Sequence, residues 1–280
     1  MRGLVLEGGG MRGVYTAGVL DFFLDKDIEF DNVYGVSAGA ANACSYLSKQ
    51  RGRALRVDVD YLEDKNYASI YSLVKTGDFF GAKMCYDTIP NKLNPFDYDT
   101  YNSFQGNFYA TVTNCKTGKA EYKKVKDLKK DIAFVRASCS LPLMAREVSI
   151  GDIPYLDGGV SDSIPILKAR KDGNKKNVII LTRDKTYRKK KNELLFLLSI
   201  RYKKYPEFVK AMARRHIVYN KTLKYINKLE DVGKAFVIRP KRPVSIGRLE
   251  KDKDKLLALY NEGYEDAKEN YEKLKEYLEK

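Results

Sequence analysis

Gly35-Val36-Ser37-Ala38-Gly39 follows the short apolar piece Asn32-Val33-Tyr34 and precedes the small-residue run Ala40-Ala41-Asn42-Ala43. This order predicts a strand, a sharp turn through a serine, and then a helix, an arrangement that presents the serine hydroxyl to a substrate. Gly35 and Gly39 suit a turn in which neighbouring backbone comes close, where a larger side chain would clash. A glycine-rich strand-to-helix turn with an incidental serine reads the same over five residues. The rest of the chain decides between the two.

Upstream, Leu4-Val5-Leu6 is a short apolar run stopped by glycines, the pattern of a buried strand. Glu7-Gly8-Gly9-Gly10-Met11-Arg12-Gly13 reads as a glycine-rich loop. Val14 to Leu24 carries apolar residues at helical spacing, and Phe30 to Tyr34 leads back into the serine turn. Strand, loop, helix, strand, turn, helix is a βαβα unit and predicts a parallel sheet flanked by helices.

Gln50 to Asn107 is weakly patterned. Tyr67–Val74 and Ala82–Ile89 read as short helices and Asn91–Asp99 as loop. Phe108–Asn114 is rich in β-branched and aromatic residues and reads as a strand, with a turn at 116–119 leading to a partner around Glu121-Tyr122. Leu128–Ser138 reads as a helix, Arg146–Ile150 with Ile153–Leu156 as a hairpin, and Val178-Ile179-Ile180-Leu181 as a buried strand. Two helical patterns then pass through Leu194–Arg201 and Phe208–Ile226. Ala235–Ile238 returns to strand character, and Lys255–Leu278 reads as one long amphipathic helix.

The 280 residues suffice for one large domain or a domain with an appendage. The formal net charge is +15, and residues 188–228 hold thirteen Lys or Arg against two Glu. Basic helices with an apolar face suit an anionic bilayer surface, so 188–228 is expected to make peripheral contact with anionic membrane or to line acyl-chain entry; a solvated basic face is the plainer alternative. Nucleic acid is not an expected partner, because no recognition module is present. Cys44, Cys85, Cys115 and Cys139 form no paired motif and read as reduced, mostly buried thiols. No secretory signal or membrane span is visible, so the expectation is a cytoplasmic protein with at most peripheral membrane attachment.

Acyl transfer needs a nucleophile, a base and donors for an oxyanion. Ser37 supplies the first. Gly8, Gly9 and Gly10, at a strand end ahead of a helix, leave backbone N–H groups open for the third. The base is less obvious. Ser37, Asp157 and the one histidine, His216, follow the chain order of an α/β-hydrolase triad. That fold, however, puts its histidine in a loop and its serine later in the chain, whereas His216 lies inside a helical pattern. Asp157 is the better candidate: it ends an apolar strand, and Gly158-Gly159 lets the backbone bend sharply. In a dry pocket its pKa would rise and make it a better base.

With these three motifs in order, the chain resembles the patatin-like phospholipases. Glu7 to Gly13 resembles the family's oxyanion loop, Gly35 to Gly39 its nucleophile elbow, and Asp157-Gly158-Gly159 its dyad motif. The resemblance covers roughly residues 1–185. It implies an α/β fold with a sheet mostly parallel at its centre, flanked by helices, and a helical C-terminal appendage. It also implies a serine esterase of phospholipase A type that uses a Ser37–Asp157 dyad through an acyl-serine intermediate, without metal or cofactor. Arg12 matches an arginine that forms or stabilises the oxyanion loop; Gly13, Gly35, Gly39, Gly158 and Gly159 match motif glycines. Glu7 departs from the aspartate usual in plant members. The expected division is a catalytic domain at 1–185 and a basic helical region at 186–280 packed on the core.

Two rivals stand beside this reading. Gly8-x-Gly10-x-x-Gly13, with Asp27 to Asp31 beyond it, also satisfies a dinucleotide-binding fingerprint of a Rossmann-like protein, but that leaves Gly35–Gly39 and Asp157 unexplained. A serine acyltransferase would use the same Ser37 and differ only in its acceptor.

Overall fold

The computed structural model describes residues 1–279. The chain begins with β1 (Arg2–Leu6), a short 3₁₀ turn at Gly10–Arg12, α1 (Gly13–Asp25), β2 (Asn32–Val36) and α2 (Ala38–Leu47). Next come α3 (Arg53–Val59), α4 (Ile70–Thr76), a π-helical segment at Met84–Leu93, and α5 (Tyr98–Asn102). β3 (Asn107–Asn114), β4 (Ala120–Lys124), α6 (Leu128–Ser138), β5 (Val148–Ile150) and β6 (Ile153–Asp157) follow. The remainder is α7 (Ile166–Lys171), β7 (Lys176–Ile180), α8 (Leu195–Arg201), α9 (Pro206–Asp231), β8 (Phe236–Ile238), α10 (Lys253–Glu269) and α11 (Tyr271–Glu279).

The eight strands among the described residues join one sheet, in the order β5-β6-β3-β2-β1-β7-β8, with β4 also paired to β3. The centre is parallel; β4, β5 and β6 pair antiparallel. Strand side chains alternate between faces, so each central strand feeds two cores. Leu4, Leu6, Val33, Val178 and Ile180 pack with α1, α2 and α10 on one face. Val5, Tyr34 and Ile179 pack with α7 and α9 on the other. Residues beyond 185 thus supply β8 to the sheet and helices to both faces.

α1 is buried almost throughout because α10 covers the side that the sheet does not. Two reciprocal hydrogen bonds join them: the Tyr15 hydroxyl donates to Asp266 (2.8 Å) and the Tyr260 hydroxyl to Asp21 (2.7 Å).

Several expected boundaries move. The expected helix at 255–278 breaks at Asn270, whose side-chain amide donates to the Asp266 carbonyl and caps α10. The helix expected at 82–89 is π-helical and runs on through Pro90 into the stretch read as loop. α4 starts after Ser69, whose hydroxyl caps it by accepting the Ser72 N–H (2.9 Å), so Tyr67 and Ala68 lie outside it. α3, α5 and α7 are short helices whose sequence pattern is too brief to read.

Candidate active site

Ser37 follows the last residue of β2 and adopts φ 54°, ψ −126°, a conformation that side-chain-bearing residues rarely take. Three contacts hold it there. The Ser37 N–H donates to Ser138 Oγ (2.9 Å), the Ser138 hydroxyl donates to the Thr111 carbonyl (2.6 Å), and the Cys139 thiol donates to the Ser37 carbonyl (3.2 Å). Close packing fixes the flanks: a Cβ on Gly35 would lie 2.6 Å from Ala40 Cα, and one on Gly39 would lie 2.6 Å from the Leu6 carbonyl oxygen. Gly13, at the start of α1, faces Ala38 in the same way.

β3 brings Asp157 to this turn. Val36 pairs with Thr111, and Asp157 pairs with the next residue, Val112. β4 takes the other edge of β3 across these positions. β2 and β6 therefore run toward each other along one edge and end at adjacent registers, so the serine and the aspartate meet across a strand that belongs to neither motif. Asp157 Oδ1 accepts the Gly159 N–H (2.7 Å) within the Gly158–Val160 turn, while Oδ2 is buried without a hydrogen-bond partner. Burial pushes the Asp157 pKa above the ordinary carboxylate value. The Ser37 hydroxyl is the strongest opposing influence, followed by the Arg215 charge, although no made hydrogen bond joins the hydroxyl to Oδ2. Such bonds commonly tighten only when substrate binds.

Gly8, Gly9, Gly10 and Arg12 line one cavity with Ser37 and Asp157. Gly10 has φ +58°, and a Cβ there would sit 2.6 Å from the Arg248 carbonyl oxygen. That carbonyl accepts the Met11 N–H (3.0 Å), whereas the N–H groups of Gly8, Gly9 and Gly10 have no backbone acceptor among the described residues. Glu7 anchors the loop: its buried carboxylate accepts from the Thr182 N–H (2.7 Å), the Thr182 hydroxyl (3.2 Å) and the Tyr219 hydroxyl (2.5 Å). Arg12 is only 6% exposed and its Nε has no partner. Burial, with repulsion from Arg183 and Arg248, lowers its pKa to about 10.

Two cavities meet at Ser37. One, of about 170 Å³, is largely apolar, with Ala41, Phe80, Ile89, Ile132, Val135 and Met144 in its walls. The other, of about 20 Å³, is polar and contains Asp157 and the glycine loop.

His216 lies on α9 and borders a different cavity, with Lys189 to Lys191, so it does not join Ser37 and Asp157 despite the chain order. Cys44, Cys85 and Cys115 are pushed up to about 12 by burial and Cys139 higher still, which keeps the thiols protonated. Asp31 precedes β2 and binds the Arg2 N–H (2.6 Å), at the end of the sheet opposite the glycine loop. That placement removes the ribose-binding acid that the dinucleotide reading requires. Among the described residues, no group of three or more His, Cys, Asp or Glu is arranged to hold a metal, and no helix is long and apolar enough to cross a membrane.

Sequence reading missed Ser138, Cys139, Tyr219, Arg183, Lys189, Arg215 and Arg248. The last three belong to the C-terminal region, where a run of basic residues hides which of them turn inward.

A family described as patatin-like phospholipase matches residues 4–170, and one described as a domain of unknown function (DUF6363) matches residues 205–279. The chain is 32% identical over 185 residues to "Uncharacterized protein YjjU" of Escherichia coli, covering 64% of this chain and 51% of that protein. It is 26% identical over 190 residues to "Probable lipid hydrolase 463L" of Invertebrate iridescent virus 6, covering 62% of this chain and 65% of that protein. The chain thus spans between half and two thirds of the length of these curated relatives. VipD from Legionella pneumophila is a solved structure with similarity at TM-score 0.46 and 13% identity, covering 96% of this chain and 66% of that one. On the match over residues 4–170, the chain belongs to the patatin-like phospholipase family.

Proposed function

We propose that this protein hydrolyses acyl esters of lipids through an acyl-Ser37 intermediate. One observation carries the reading: a strained serine directly after β2 and a buried aspartate with an unpartnered carboxylate oxygen at the end of β6 are brought together where the two strands end at adjacent registers of β3. The family match and the viral relative's printed name, a probable lipid hydrolase, support it.

In this mechanism Ser37 Oγ attacks the ester carbonyl carbon while Asp157 takes its proton. The N–H groups of Gly9 and Gly10, supported by Gly8 and Arg12, hold the oxyanion. The intermediate collapses and the proton passes from Asp157 to the departing alkoxide. Asp157 then deprotonates a water that attacks acyl-Ser37, freeing the carboxylic acid and restoring the serine. The acyl chain lies in the apolar cavity.

A second observation favours work at a lipid surface. The residues that follow α4 and α8 hold the loop 141–145, whose Leu141, Met144 and Ala145 line that cavity: the Phe79 N–H donates to the Met144 carbonyl (2.8 Å) and the Tyr202 hydroxyl accepts from the Leu143 N–H (3.1 Å). Val74 on α4 and Phe196 on α8 are 81% and 79% exposed. Arg188, Lys190, Lys191, Lys203 and Lys204 stand exposed around α8. We read this as a docking face for an anionic bilayer.

Hydrolysis of a p-nitrophenyl butyrate solution by wild type, Ser37→Ala, Asp157→Asn and His216→Ala tests the chemistry. The first two variants should lose activity by about 1,000-fold or more, and His216→Ala should stay near wild type. Activity that survives Ser37→Ala overturns the mechanism.

A further inference from the structure

The small polar cavity beside Ser37 carries more positive charge than an ester oxyanion requires. Arg12, Arg183, Lys189, Arg215 and Arg248 line it, against two carboxylates, Glu7 and Asp157. Neither carboxylate makes an ion pair with these cations, although Asp157 acts on Arg215 and Glu7 on Arg12 at longer range. Glu7 is occupied by Thr182 and Tyr219, and Asp157 by the Gly159 N–H on one oxygen. Among the described residues, none of the five cations has an ion pair within 4.0 Å.

Neutral groups hold these cations in place instead. Arg183 Nη1 donates to the Val244 carbonyl (2.9 Å), and Arg215 Nε donates to the Gly159 carbonyl. Lys189 Nζ sits over the Tyr219 ring, 4.2 Å from its centre. Arg12 and Arg183 each keep a buried Nε without a partner. Burial first, then repulsion from Arg215 and Arg248, lowers the Lys189 pKa to about 6; burial and Arg248 lower Arg215 to about 10. Like charges crowded and desolvated in this way raise the free energy of the empty site, and a bound anion relieves it.

The four arginines exceed Glu7 and Asp157 by two positive charges, and Lys189 adds a third when an anion draws it into its protonated form, which suits a dianion better than a lone carboxylate. Guanidinium forks match phosphate oxygens geometrically. At about 20 Å³ the empty cavity is little larger than the roughly 10–15 Å³ that one water needs, so a phosphate requires its lining side chains to draw back and a bulky head group requires more. Ser37 lines both cavities, so an ester held at Ser37 with its acyl chain in the apolar cavity directs its alcohol side here.

We propose that Lys189, Arg215 and Arg248 of the C-terminal region, with Arg12 and Arg183, form a subsite for a phosphate on the alcohol side of the scissile ester. The substrate class is then acyl esters that bear an unblocked terminal phosphate, an assignment that rests on the hydrolase reading above.

The test uses short-chain esters below their micellar concentration, so that surface attraction plays no part. The kcat/KM of wild type is measured on dibutyryl glycerol phosphate and on dibutyryl glycerophosphocholine at constant ionic strength, with inorganic phosphate as competitor. The expected result is a preference of at least 10-fold for the terminal phosphate. That preference should fall toward unity in Lys189→Gln and in Arg248→Gln, and inorganic phosphate should inhibit competitively.

A thermal-melt series on wild type and Ser37→Ala with inorganic phosphate against chloride reads the same site without turnover. Phosphate should raise both melting temperatures, and it should raise that of a folded Lys189→Gln less. Equal turnover of the two esters overturns the proposal, whether or not phosphate stabilises the fold, and leaves the hydrolase reading standing. Failure of wild type to turn over any ester overturns the hydrolase reading and, with it, the assignment of this cavity to a substrate.

Discussion

At the residue scale, Asp157 carries the sharpest consequence. In the proposed mechanism it must be ionised to accept the serine proton, and burial raises its pKa. Hydrolysis of a neutral ester should therefore fall as pH drops through a value above the ordinary carboxylate range, giving a kcat/KM profile with a raised acid limb. The same change bears on stability. A carboxyl whose folded pKa exceeds its unfolded value disfavours folding once pH passes the unfolded pKa, by about 1.4 kcal/mol for each tenfold weakening of the acid. The penalty is full above the folded pKa and vanishes below the unfolded one. Asp157→Asn should thus lose activity yet melt higher than wild type at pH 7, with the gain shrinking as pH falls toward 4. A variant melting lower than wild type at pH 7 contradicts that account. Ser37, Asp157 and the glycines were legible in the sequence because each motif demands a particular backbone. Arg183, Lys189, Arg215 and Arg248 were not, because a basic residue that faces a cavity and one that faces water look alike in sequence.

At the element scale, β3 does what no motif announces. Its own residues read as an ordinary strand, but its register decides that Val36 and Asp157 end side by side. Local pattern predicted β1, β2, β3, α6 and β7 well, since each is an apolar or β-branched run with clear turn or glycine boundaries or, in α6, a helical period. Pairing register depends on distant chain and is not written locally. Length misled at α10 and α11, where an uninterrupted apolar stripe hides the break at Asn270. α8 is the element with a testable outer face. Replacing Phe196 and Leu197 by Ser should reduce co-sedimentation with vesicles containing anionic lipid several-fold, and raised salt should weaken wild-type pelleting. Equal pelleting of wild type with neutral and anionic vesicles counts against docking by charge.

At the scale of the whole molecule, the C-terminal residues act on the site from two directions. Arg248 receives the Met11 N–H through its carbonyl, and Tyr219 on α9 holds Glu7 at the base of the same loop. β8 and α10 meanwhile complete the sheet and the core around α1. The central claim, a nucleophilic Ser37 activated by Asp157, needs all of this to keep the turn strained and the carboxylate dry. Its most direct measurement is peptide mapping by mass spectrometry after reaction with a fluorophosphonate, which traps activated serines. The account predicts one adduct, on Ser37, formed quickly by wild type, at least 100-fold more slowly by Asp157→Asn, and not at all by Ser37→Ala. An adduct on another residue, or labelling of Ser37 at the same rate in Asp157→Asn, would contradict it.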